Sequence, residues 1–109
     1  MEAAQVRDAA PLFAALGDET RLRLFVRLST SGPESIARLS AKIPVTRQAV
    51  TKHLDVLSRA GLVRGTRRGR ERIWEVEPVR LADARRYLER ISLLWDDALS
   101  RLKRFVEPQ

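Results

Sequence analysis

Apolar residues recur at spacings of three and four over most of the chain, and the period shortens only between residues 62 and 76. Leu12, Phe13 and Leu16 form the apolar face of a first short helix, with Asp8 placed to cap it and Pro11 in its opening turn. Gly17 ends that helix. Asp18 is a good N-cap for a second one, which carries Leu22, Leu24, Phe25, Val26 and Leu28 and stops before Ser-Thr-Ser-Gly-Pro at 29–33. Ser35 then caps a short helix with Ile36 and Leu39, and Pro44 ends it by holding Ile43 out of the helical region. Thr46 caps the next helix, over residues 47–59. Its buried stripe is Val50, Leu54 and Leu57, and Gly61 is its stop residue. Two helices joined across Pro44-Val45-Thr46 make a helix-turn-helix arrangement.

From Leu62 the pattern is that of strands. Leu62-Val63-Arg64 and Ile73-Trp74-Glu75-Val76 flank a turn at Arg68-Gly69, giving a two-stranded wing over about 62–77. After Pro78 a helix runs over about 79–106. Along it Leu81, Ala84, Leu88, Ile91, Trp95, Ala98, Leu102 and Phe105 alternate spacings of three and four without a break. So long a seam on so small a protein is more apolar surface than a monomer usually exposes. A homodimer interface through Leu88, Ile91, Trp95, Ala98 and Leu102 is expected, with Leu12, Phe13 and Leu16 contributing. The plainer alternative is packing within one chain. Trp95 could instead line a small-molecule pocket between subunits, although core packing is the commoner use of such a residue.

Charge changes the picture most. Between Arg47 and Arg72 lie eight basic and two acidic residues, a net of +6 in a chain of +7, so the remainder is nearly neutral with 13 basic and 12 acidic residues. Segregation of this kind is the footprint of a nucleic-acid reader. On the helix at 47–59, opposite the buried stripe, the N-terminal exposed surface is Arg47, Gln48, Thr51 and Lys52, behind Thr46. Arg and Lys suit guanine N7 and O6, Gln suits adenine, and Thr suits a thymine methyl or a phosphate. Arg67, Arg68 and Arg70 around Gly69 suit phosphates or the minor groove, contacts that add affinity and register rather than sequence information. The bland alternative for both sets is a solvated polar surface. His53 is the only histidine, and packing or a phosphate contact is its expected use.

At 109 residues with 44% apolar and 32% charged content, the chain reads as one domain, 1–109, and not as a disordered segment. Having no cysteine, it cannot form disulfides or thiolate metal sites. It lacks a run of about 18 apolar residues and a signal-peptide pattern, so a cytoplasmic protein with no membrane partner is expected. One histidine, no phosphate-binding glycine loop and no paired carboxylates with an evident cleft argue against an enzyme.

These residues resemble the ArsR/SmtB bacterial winged-helix repressors over nearly the whole chain. The resemblance rests on LGDETRLRLF at 16–25, on TRQAVTKHLDVLSRAGLVR at 46–64, and on the Gly-Arg-x-x-x-Trp wing. It implies a mainly α fold with a small β-hairpin, a winged helix-turn-helix whose dimer is assembled through the first and last helices. It also implies that Arg47, Gln48, Thr51 and Lys52 face DNA and that the wing arginines contact its backbone. Two departures stand out. The turn before the reading helix commonly carries glycine where this chain has Pro44, which cannot take positive φ, so the turn must be built differently. Family metal sensors use cysteines on the helix before the reading helix, or Asp, His and Glu sets on the last helix. Here the first location reads Ser35-Ile36-Ala37-Arg38-Leu39-Ser40, and the last helix has Asp83, Glu89, Asp96 and Asp97 but no histidine. Neither a metal site nor a cofactor is therefore expected.

The expected function is a dimeric, sequence-specific regulator of transcription that binds double-stranded DNA. A repressor on an inverted-repeat operator fits best. The alternatives are a ligand- or metal-responsive sensor of the same family and a winged-helix module that binds protein.

Overall fold

A computed structural model describes residues 2–107. The elements follow in the order α1 (Ala3–Leu16), α2 (Glu19–Ser31), β1 (Glu34–Ser35), α3 (Ile36–Lys42), α4 (Arg47–Arg59), β2 (Val63–Arg68), β3 (Glu71–Val76) and α5 (Pro78–Val106). This is the winged helix-turn-helix that the pattern predicts. Its core joins α1 to α4 and the base of the wing through Leu12, Leu24, Leu39, Leu54, Leu57 and Trp74, all essentially inaccessible to solvent.

Side-chain caps set most helix starts. Asp18 Oδ2 accepts the Arg21 N–H (3.0 Å), Ser35 Oγ the Arg38 N–H (3.3 Å) and Thr46 Oγ1 the Ala49 N–H (3.1 Å). Ile43 is extended (φ −122°, ψ 132°), as the proline after it requires. The turn departs from a glycine-built one in a simple way: Val45 N–H donates back to the Ile43 carbonyl at 2.8 Å, closing a tight turn around Pro44. Among the described residues only Gly32, Gly61 and Gly69 have positive φ, so Pro44 keeps its natural backbone angle.

Four expectations need correction. The first helix begins at Ala3, not after Asp8, because the Gln5 side chain accepts the Glu2 N–H (3.0 Å) and starts it earlier. Pro11 then lies inside the helix, and the Asp8 carboxylate accepts from Tyr87 and Arg80 of α5 instead of capping. The second helix runs through Ser31 and does not stop at Ser29. Ser29 and Thr30 bond back to the Phe25 and Val26 carbonyls, and Gly32 at φ 80° ends the helix.

The wing belongs to a three-stranded antiparallel sheet in the order β1-β3-β2, with Glu34 opposite Trp74 and Ser35 opposite Ile73. Its hairpin is longer than predicted and turns one residue later, at Gly69-Arg70, because Arg68 pairs with Glu71. Positive φ at Gly69 (63°) and not at Arg70 is the arrangement of a II′ turn, which suits the strand twist.

α5 has 29 residues, about 43 Å at 1.5 Å per residue, and of these only Ala84 is buried. It packs on α1 near its start and projects beyond the rest of the fold, which measures 68 × 28 × 20 Å with it.

Candidate nucleic-acid interface

The first residues of α4 form a polar ridge. Thr46, Arg47, Gln48 and Lys52 are exposed and Thr51 is half-buried, while Val50, Leu54 and Leu57 on the other side are completely buried. The Thr51 hydroxyl donates to the Arg47 carbonyl (2.9 Å), so its hydrogen is committed and its methyl and lone pairs remain for a partner. No carboxylate sits in the first turn of α4. A helix N-terminus carries partial positive charge, and Arg47 adds a full one there. The arrangement favours an anion at that end.

The wing sorts its arginines by face. Paired residues on an antiparallel ladder share a face, so Val63 and Val76, Gly65 and Trp74, and Arg67 and Arg72 lie on one side. Arg68 lies on the other side, opposite Glu71. The Arg72 guanidinium stacks over the Trp74 ring, 4.7 Å from its centroid. It lies across Gly65, where a Cβ would stand 2.5 Å from the Arg72 Nε; the glycine makes room for the stack. Arg70 occupies the turn itself. Arg64 is different, since its guanidinium is held by Glu75 (2.9 Å) and Glu77 (3.2 Å).

Ion pairing separates this surface from the rest of the protein. Among the described residues, only Arg64 of the eight basic residues between Arg47 and Arg72 is ion-paired, against seven of the thirteen elsewhere. Three further cations that the sequence pattern does not single out have no ion-pair partner among the described residues. Arg72 escapes a linear reading because its role depends on Gly65 across the hairpin. Arg38 and Lys42 are exposed and four residues apart on α3, where helical spacing is the available signal.

His53 lies beside the α2 cap, its Nδ1 3.9 Å from Asp18 Oδ2. The Arg21 N–H, and after it the charges of Arg21 and His53, hold the Asp18 carboxyl below the usual carboxylate range. Among the described residues no group of three or more His, Asp or Glu side chains is gathered as a metal ion would need.

The seam on α5 is largely uncovered in the single chain: Leu88, Ile91, Trp95 and Leu102 are exposed, Trp95 to 65%, and Ala98 is half-buried. Phe13 and Leu16 are half-buried beside an open apolar groove of about 820 Å³ that Phe25, Leu81 and Leu88 also line. Leu12 is a correction. It is wholly buried in the chain's own core, so it has no surface to offer a partner.

Comparison with known proteins places this arrangement. A helix-turn-helix domain model matches residues 16–66. The HTH-type transcriptional regulator Rv2034 of Mycobacterium tuberculosis is 35% identical over 95 residues, covering 87% of this chain and 85% of that protein. The solved ArsR-like transcriptional regulator from Rhodococcus sp. RHA1 superposes with a TM-score of 0.78 at 36% identity, over 98% of this chain and 100% of that one. A possible transcriptional regulator for arsenical resistance gives a TM-score of 0.70 at 35% identity, over 90% and 97%. No helix among the described residues is long and apolar enough to cross a membrane. With the capped α4, the hairpin wing and the long α5 all in place, the chain belongs to the ArsR-like winged helix-turn-helix transcriptional regulators, a DNA-binding and non-enzymatic family.

Proposed function

We propose that the protein is a homodimeric repressor that reads an inverted-repeat operator and occludes a promoter. The observation that carries this reading is the concentration, among the described residues, of unpaired cations on the start of α4 and on the wing, while seven of the thirteen cations elsewhere are paired with a neighbouring acid. In it Arg47, Gln48, Thr51 and Lys52 meet base edges in the major groove. Thr46, Arg67, Arg68, Arg70 and Arg72 hold the phosphate backbone, with Arg38 and Lys42 on the strand beside α3. The uncovered seam of α5, from Leu88 to Leu102 with Phe13 and Leu16 beside it, supports pairing of two copies. Two-fold symmetry then sets two reading helices on successive major-groove faces.

Substitution tests the division of roles. Replacing Arg67, Arg68 and Arg70 together by alanine is expected to weaken binding to every duplex and to flatten the salt dependence. The log–log slope should fall by about 0.9 for each phosphate no longer neutralised. Gln48→Ala or Arg47→Ala is expected to change which duplex is preferred, at about 1–3 kcal/mol per good base contact. Fluorescence anisotropy over a salt series reads both. Equal effects of the two sets on specific and random DNA would defeat the division.

A further inference from the structure

The C-terminal end of α4 is tied down more elaborately than its start. Leu62 N–H returns to the Leu57 carbonyl (3.0 Å) and Gly61 N–H to the Ser58 carbonyl (2.9 Å), the two bonds of a Schellman motif. The Ala60 carbonyl is taken from outside: Arg80 Nε of α5 donates to it at 3.4 Å. The same guanidinium reaches α1, where Nη2 donates to the Asp8 backbone carbonyl (3.0 Å) and Nη1 to the Asp8 carboxylate (3.4 Å). Asp83 accepts from Nη1 as well (3.2 Å), and Tyr87 of α5 donates its hydroxyl to Asp8. Three elements meet on one planar cation. Gly61 suits the site by its φ of 79°, and a Cβ there would press on the Arg80 stem, 3.2 Å from its Cγ.

The chemistry suits a guanidinium specifically. Its five N–H donors point in fixed directions and serve several acceptors at once, which a single ammonium cannot do with the same geometry. Its charge also lies at the negative end of the α4 dipole. The expected reading residues occupy the first half of α4, about 12–20 Å from Ala60 at 1.5 Å per residue. Arg80 thus touches the far end of the helix and stands apart from the expected reading residues.

We infer that Arg80 is a positioning residue for sequence reading: by holding Ala60 and Asp8 on one guanidinium, it fixes the direction of α4 against α5. The inference rests on the reading of α4 as the DNA-reading helix. It predicts that loss of Arg80 spares non-specific attraction, which the cations of α4 and the wing supply, and erodes discrimination between sequences.

The test uses the full chain and two probes: the best duplex selected from a randomised library, and a scrambled duplex of the same length. In folded Arg80→Met, the ratio of the two affinities is expected to fall about tenfold or more, the scale of one mismatched base pair, while affinity for the scrambled duplex holds. Arg80→Lys restores the charge without the fork, and the same loss is expected. An unchanged ratio in Arg80→Met, or full rescue by lysine, overturns the inference. If circular dichroism shows Arg80→Met unfolded, folded Arg80→Lys decides, since it keeps the charge and the aliphatic stem and loses the fork that joins the Ala60 and Asp8 carbonyls. A loss of the same kind supports the inference, and an unchanged ratio overturns it. A wild-type protein that does not distinguish the two duplexes defeats the reading of α4 itself, and this inference with it.

Discussion

Arg47 begins α4 in a first turn without a carboxylate, and Arg67 faces Arg72 directly across the wing. Each placement is unfavourable in the isolated protein. A cation at a helix start costs about 0.3–1 kcal/mol, and like charges opposite each other on a ladder cost a similar amount. Polyanion binding removes both costs, which is why these residues point to the duplex more strongly than a bare count of arginines. Asp18 is the contrary case, an acid placed where a helix wants one. Its folded-state pKa is lowered, first by the Arg21 N–H, so its contribution is fully present above the unfolded value near about 3.9 and is lost as pH falls through the folded value. Thermal melts from about pH 5 to about pH 2 are expected to show a shallower loss of stability in Asp18→Asn than in the wild type. Identical acid slopes would contradict the cap's electrostatic role.

α4 is the element most legible in the sequence because its signals are local: the Thr46 cap, the stripe of Val50, Leu54 and Leu57, and the Gly61 stop all act within the helix and its ends. Two misread features depend on partners far along the chain. Glu34 and Ser35 become a strand only because Trp74 and Ile73 come to lie beside them, and two residues leave no period to read. Asp8 has the chemistry of a cap, but Arg80 and Tyr87 claim it from α5. Pro11 argues for a helix start. It is instead carried inside α1 by the burial of Ala9, Leu12 and Ala15 around it, despite the hydrogen bond it removes. The candidate interface follows the same rule: the α4 ridge is readable from spacing, whereas the Arg72–Trp74 stack over Gly65 forms only when the hairpin closes. In α5 the seam is plain from its period. Leu12 reads as part of that seam because an apolar face looks the same whether it meets its own core or another chain. Ile91→Asp combined with Trp95→Asp is expected to give monomers with a folded winged-helix head, read by light scattering and circular dichroism. An unchanged dimer would refute the seam.

A compact head with a projecting helix, 68 Å in its longest dimension, is a shape in which the pairing of α5 helices would set the distance between two reading heads. In the proposed reading Arg80 would give that distance a consequence for α4, since the same side chain, at the base of α5, bonds to the Ala60 carbonyl at the end of α4. Selection of bound fragments from a randomised duplex library, with the full-length protein, decides whether DNA is read symmetrically. The expected result is an inverted repeat whose half-site centres lie about 34–36 Å apart or a multiple of that. Recovery of a single unsymmetric site, or of no sequence above the non-specific background, would contradict it.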